Sequence, residues 1–242
     1  MTEEDQRAVP VAGDTLAMVL HLPAAPAAPC VIACHGLGAS KDSDKYRLLG
    51  ADLPEHGLAL ARFDFRGAGE SSGRPEDATV ATRLEDLAAV EAWLARHPRL
   101  DPDRVGVVGS SMGGFVALHA AARRARPLPV VTWNAPATLR GLLERGAAAG
   151  EVGPGLLAEL AGGAYIDAPE GVRGLRVIQG GGDDVVPPAH AERIFRAARE
   201  PRDLRVIPGA DHRFSEMGDR RQALALTREW LLEWLCRRRL EA

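Results

Sequence analysis

The chain has 242 residues, 46% hydrophobic and 26% charged, with a net charge of −3 and a pI near 6.2. That is the mix of a soluble globular protein with one large core; it excludes long-chain disorder and a global basic field for nucleic acid. The three cysteines, Cys30, Cys34 and Cys236, are too few for a disulfide scaffold, and no apolar stretch nears the roughly 18 residues that cross a bilayer.

The first ten residues, MTEEDQRAVP, carry no basic stretch followed by an apolar one, so no secretory leader is expected there and a reducing cytoplasm is the expected compartment. Segments 16–22 and 30–34 read as strands on either side of a proline-rich connector. Cys30 and Cys34 would share one face of the second strand as small core residues. Segment 58–63 reads as a third strand ending at Asp64. The span 79–97 predicts a helix: Val80, Leu84, Leu87, Val90 and Leu94 recur every three or four residues, Thr82 and Glu85 have capping-box spacing, and Pro98 stops it. Strands follow at 105–108, 130–133, 175–179 and 204–207, with helices at 112–124, 190–199 and 220–238. Strands separated by helices of this length predict right-handed crossovers and a mostly parallel α/β sheet flanked by helices. Segment 135–174 breaks the rhythm: it is Ala- and Gly-rich with two weak amphipathic pieces, and reads as a small lid within a single domain spanning 1–242. The basic run 237–239 ends the last helix, where cations complement the helix dipole.

The segment VGVVGSSMGG at 105–114 contains G-x-S-x-G as Gly109, Ser111 and Gly113, between a predicted strand and a predicted helix. A turn this tight exposes the central hydroxyl and sets the next peptide N–H at a helix N-terminus, where a developing anion is favoured. Centring the motif on Ser110 would require glycines at Val108 and Met112. A serine hydroxyl needs a general base and a group to orient that base. Of seven histidines, His212 sits in the loop leaving strand 204–207, and such loops gather at the carboxyl edge of a parallel sheet. His190 falls at a helix start and His119 inside a helix, the latter a packing position. His35 ends strand 30–34, while His21, His56 and His97 have no local reason to converge. For the acid, the loop GGGDDVVPP offers Asp183 and Asp184 on equal terms, its glycines suiting a sharp bend; Asp203 and Asp211 lie in or next to the base-bearing loop itself.

With HGLGAS at 35–40, RFDFRGAGESSG at 62–73, GSSMGG at 109–114, GGGDDVVPP and GADHRF in this order, the sequence resembles the alpha/beta-hydrolase fold superfamily, in its small bacterial esterase and serine-aminopeptidase-like branch. The resemblance covers about 16–235. It implies an eight-stranded-type sheet and a Ser111–Asp183–His212 triad, because the acid loop G-x-x-D-x-x-V-P matches Gly180, Asp183, Val186 and Pro187. Gln179 stands where the family often has His. The resemblance also implies an oxyanion hole from the N–H groups of Leu37 and Met112, and a structural turn at Asp64, Arg66, Gly67, Gly69 and Ser71.

The expected function is hydrolysis of a small-molecule carboxylic ester, with no cofactor, no metal, no nucleic acid and no membrane partner. Peptidase, thioesterase or acyltransferase chemistry would use the same groups. Candidate pocket aromatics are Phe115, Trp133, Tyr165 and Phe214, each equally readable as core. Two rivals differ in class. A dinucleotide-binding loop is mimicked by Gly67, Gly69 and Gly73, but Pro75 stands where a helix should begin, and no acidic residue ends a next strand. A hydrolase-like fold that only binds a ligand would need no complete triad.

Overall fold

The computed structural model describes residues 3–142, 144 and 152–237. Residues 143 and 145–151 of the expected lid, and 238–239 of the basic run, lie outside the described residues.

Eight strands form one sheet in the order β1-β2-β4-β3-β5-β6-β7-β8. They are β1 (Glu3–Val11), β2 (Asp14–Leu22), β3 (Ala28–Cys34), β4 (Ala59–Phe63), β5 (Leu100–Ser110), β6 (Val130–Trp133), β7 (Leu175–Gly180) and β8 (Arg202–Ile207). The β1–β2 and β2–β4 pairs are antiparallel and every other pair is parallel. The helices are α1 (Asp44–Asp52), α2 (Val80–Leu94), α3 (Met112–Ala122), α4 (Pro154–Ala161), α5 (Ala189–Ala197) and α6 (Met217–Leu232), the last running into a single π-turn at Glu233–Arg237.

Side-chain alternation on the central strands divides the apolar interior in two, as period-2 geometry demands. Cys30, Ile32 and Cys34 face one core with Leu84, Leu87, Phe115, Val116 and Ile194, so α2, α3 and α5 cover that face. Val31 and Ala33 face the other with Tyr46, Leu49, Trp133 and Leu231, under α1 and α6. The shared face of the two cysteines is as expected, and burial pushes the Cys30 thiol up to about 12. Trp133 Nε1 donates to Thr227 Oγ1 at 2.8 Å, and Thr227 donates to Ala223 O at 2.8 Å, pinning α6 to the sheet centre.

Three expectations change. β1 and α1 were not anticipated. β5 begins at Leu100, five residues before the expected start, with a register irregularity between Ala28 and Cys30 on its neighbour. The cap of α2 is Thr79 with Thr82, not Thr82 with Glu85. Thr79 can take the extended N-cap conformation and accept from Thr82 N at 3.0 Å, whereas Thr82 is already inside the helix.

Segment 135–174 packs back onto the start of α2. Leu139 N donates to Ile166 O at 2.7 Å and Ala168 N to Ala137 O at 2.9 Å, tying its two ends together. Glu159 of α4 accepts from Val80 N at 2.7 Å and Ala81 N at 3.0 Å, satisfying two first-turn donors of α2.

Candidate active site

The site lies at the carboxyl edge of the sheet, where the loops after β3, β5, β7 and β8 meet. Ser111 turns the chain from β5 into α3 with φ 54° and ψ −122°. A non-glycine residue with positive φ costs about 1–3 kcal/mol and persists only where its surroundings enforce it. Here the flanking glycines enforce it: a Cβ on Gly109 would lie 2.4 Å from Gly113 O, and one on Gly113 would lie 2.0 Å from Cys34 O. Ser111 N donates to Trp133 O at 2.8 Å, tying the turn to β6.

His212 Nε2 lies 3.2 Å from Ser111 Oγ, and His212 Nδ1 lies 2.8 Å from Asp183 Oδ2. With the acid accepting at Nδ1–H, Nε2 is free to accept the serine proton. Asp183 is 4% exposed. Its Oδ1 accepts from Val185 N at 2.9 Å and Val186 N at 2.8 Å, so the carboxylate is fixed before it meets the imidazole. Its neighbour Asp184 is exposed and makes no contact with His212. The glycines of this loop serve close approach rather than a sharp bend. None of Gly180, Gly181 and Gly182 has positive φ, but a Cβ on Gly180 would lie 2.4 Å from Ala210 O, where the His212 loop passes.

Met112 opens α3, so its N–H has no partner within the helix. No acceptor among the described residues takes the Leu37 N–H. His35 shapes the loop that carries Leu37. Its Nε2 accepts from Phe65 N at 3.1 Å and its Nδ1 therefore donates to Gly36 O at 2.8 Å; burial, the main influence, holds its pKa below the ordinary value. Gly36 backs onto the serine: a Cβ there would lie 3.1 Å from Ser111 Cβ.

The Asp64 turn is a separate lock. Asp64 Oδ1 accepts from Lys41 N at 2.7 Å, and Oδ2 accepts from Glu70 N at 3.0 Å and Lys41 Nζ at 3.1 Å. Ser71 Oγ donates to Asp64 O at 2.6 Å. Arg66 is tied to Asp86, to Glu85 Oε2 at 2.7 Å and to Thr82 O at 3.0 Å.

Two residues near the site carry no motif. Asn134, at the end of β6 with φ 51°, is fully buried. Its Nδ2 donates to His212 O at 2.9 Å and its Oδ1 accepts from Gly180 N at 2.7 Å, so one amide holds both the base loop and the acid loop. A polar residue with αL tolerance directly after an apolar strand was the available signal. Lys45 of α1 donates to Ser110 Oγ at 2.8 Å, and burial pulls its pKa down to about 8. Nothing in its local sequence marks it, because the contact joins the start of α1 to the end of β5, 65 residues away.

Beside the Leu37 loop lies a cleft of about 600 Å³, lined by residues 35–40, the 66–69 turn, Arg83, Val152 and Leu156 among others. The expected pocket aromatics are not in it. Phe115, Trp133 and Phe214 are buried in the cores. Tyr165 stacks edge-on against His119, with ring centroids 5.1 Å apart. His119 is thus a packing residue, and burial lowers its pKa to about 4. His190 Nδ1 accepts from Ala137 N at 3.0 Å and is not the ring that meets Ser111. Among the described residues, no group of three or more His, Cys, Asp or Glu side chains could hold a metal ion, and no helix is long and apolar enough to cross a membrane.

The family model described as alpha/beta hydrolase fold matches residues 29–137. The chain is 33% identical over 211 residues to the uncharacterized protein Rv2307c of Mycobacterium tuberculosis, covering 85% of this chain and 70% of that one. The chain belongs to the alpha/beta hydrolase fold family. It is also 30% identical over 228 residues to a protein of the same organism named as a putative phosphoribosyl transferase, of which it spans 45%. Among solved structures, Est1E from Butyrivibrio proteoclasticus with bound ferulic acid superposes with a TM-score of 0.82 at 20% identity, covering 96% of this chain and all of that one. A dienelactone hydrolase from Anabaena variabilis superposes with a TM-score of 0.71 at 24% identity, covering 97% and 99% of the two chains. At these identities the likeness is one of fold.

Proposed function

We propose that this alpha/beta hydrolase cleaves carboxylic esters through an acyl-enzyme intermediate on Ser111. The observation that carries the reading is the hydrogen-bonded chain Ser111–His212–Asp183, at 3.2 and 2.8 Å, beside two peptide N–H groups without partners. His212 Nε2 takes the serine proton as Oγ attacks the ester carbonyl. Asp183 keeps the remaining ring proton on Nδ1 and stabilises the imidazolium that forms. The oxyanion is received by the N–H groups of Leu37 and Met112, a contribution worth roughly 10²–10³-fold in rate per donor. His212 then protonates the leaving alkoxide, and water, deprotonated by the same ring, frees the acyl group. Every step uses groups of this chain. The described residues Val152, Gly153 and Leu156 of segment 135–174 wall the cleft beside Leu37 and serve as its lid.

A fluorophosphonate probe and a panel of nitrophenyl esters beside aminoacyl amides test the reading. Ser111 is expected to be labelled, and Ser111→Ala to lower kcat by roughly 10⁴-fold or more. Turnover near wild type in Ser111→Ala would remove the serine as nucleophile. Absent labelling together with unchanged ligand binding in that variant would make the protein a binder instead.

A further inference from the structure

The cleft beside the Leu37 loop holds two arginines with opposite circumstances. Arg66 is fully engaged with Asp86, Glu85 and the Thr82 carbonyl. Arg83, one turn along α2, is 8% exposed, yet no carboxylate lies within ion-pair distance of it among the described residues. One face of its guanidinium rests on Phe65, 5.7 Å from the ring centroid. Its Nη1 donates to Thr79 O at 3.2 Å. The guanidinium has five N–H donors in a fixed fork, and Arg83 lines the cleft. The acids that attract it at longer range are already committed: Asp86 accepts from Arg66, and Glu159 accepts from Val80 N and Ala81 N. Asp42, also on the cleft wall, is paired with Lys41, Arg62 and Arg47.

A buried guanidinium is strongly penalised unless an anion pairs with it, and its fork matches a carboxylate in two parallel hydrogen bonds. The cleft adjoins the candidate site through the loop of Gly36 and Leu37; Ser111 and His212 are not among its lining residues. Leu37 and Gly36 line it, Gly36 backs onto Ser111, and the His35 and Phe65 rings, 5.0 Å apart, lead on to Arg83. We propose that Arg83 is an anion subsite and that the ester turned over here carries a free carboxylate, which pairs with Arg83 while the ester carbonyl sits at Ser111. This rests on the ester-hydrolase reading and narrows it to acidic esters, such as monoesters of dicarboxylic acids.

Monoethyl esters of dicarboxylic acids with three to six carbons, set against ethyl esters of the matching monocarboxylic acids, read the subsite. The wild type is expected to favour at least one acidic ester over its neutral match by tenfold or more in kcat/KM. Arg83→Gln should lower that ratio at least tenfold, mainly through KM, and Arg83→Lys should restore part of it. A thermal melt of each variant separates lost recognition from lost fold. A ratio that does not change in a folded Arg83→Gln variant overturns the subsite. Calorimetric binding of the acidic ester to Ser111→Ala, with and without Arg83→Gln, reads the same contact without turnover. Binding at least tenfold weaker in the double variant supports the subsite even if no ester is hydrolysed, in which case only the reaction assignment fails. Equal affinity overturns the subsite whatever the turnover.

Discussion

The loops after β4 and β7 use the same device for different ends. Each leaves the carboxyl edge of the sheet and buries one aspartate, Asp64 at 0% and Asp183 at 4% exposure. Each aspartate has one oxygen fixed by peptide N–H groups. On Asp64 the second oxygen meets another peptide and the Lys41 ammonium, which closes the turn upon itself. On Asp183 the second oxygen meets a histidine from another loop, which in turn reaches a serine from a third. Burial and satisfaction therefore do not distinguish the structural Asp64 from the Asp183 proposed to orient a base; the partner of the last oxygen does.

Asp183→Asn is the most direct way to break that contrast. With the amide oxygen held by Val185 N and Val186 N, the amide NH₂ must face His212 Nδ1. That forces the ring proton onto Nε2, pointing at Ser111. The expected result is a fall in kcat of roughly 10⁴-fold, measured on the best ester of the panel, with the melting temperature little changed. Asp64→Asn should do the reverse. Both oxygens face donors, so the NH₂ clashes electrostatically wherever it points. Removing one partner of a buried ion pair costs about 3–5 kcal/mol, to be read from urea unfolding, while the folded fraction keeps its triad distances.

Acid weakens the fold at a site outside both loops. His21 is buried with its Nε2 accepting from Arg62 Nε at 2.9 Å, and burial with the nearby Arg62 charge lowers its pKa from 6.5 to about 4. The unfolded chain takes this proton near 6.5 and the native one only near 4. Stability therefore falls as pH drops from 6.5 to 4 and loses no more from this group below that. The loss amounts to about 3 kcal/mol. His21→Gln, which offers Arg62 an acceptor that does not titrate, should flatten the slope of unfolding free energy over that interval. The smallest effect is expected from Asn134→Ala. Freeing the His212 carbonyl and Gly180 N–H should cost about 1–3 kcal/mol and loosen the base loop. A modest fall in kcat with KM unchanged would be the kinetic sign.

Residues that act through local backbone geometry were legible in the sequence; those that act across loops were not. The elbow at Gly109–Gly113 is dictated by contacts within a few residues, and its serine falls where the spacing puts it. The positions of β2 to β8 along the chain were legible from apolar runs such as VGVVG and LRVI. β1 was not, because only Val9 of its described side chains is buried, and an edge strand of charged residues reads as a polar leader. α1 was missed because its nine residues bury little beyond Tyr46 and Leu49. Asn134, Lys45 and Arg83 make contacts 46 or more residues away, or face a cleft that exists only after folding. For the acid, Asp183 and Asp184 were equal by local chemistry; the resemblance selected Asp183 through Gly180, Val186 and Pro187, and the fold buries Asp183 and exposes Asp184.

The two donors at positions 37 and 112 belong to peptide bonds, and this has a genetic consequence. Under the proposed reaction, alanine scanning would leave in place both of the N–H groups that meet the developing negative charge. Codon changes at the exposed Leu37 can drift so long as main-chain conformation survives, whereas the side chain of Met112 is held by its place in the core. Replacing either amide by an ester through chemical ligation deletes the hydrogen without touching any side chain, and makes that hidden pair visible.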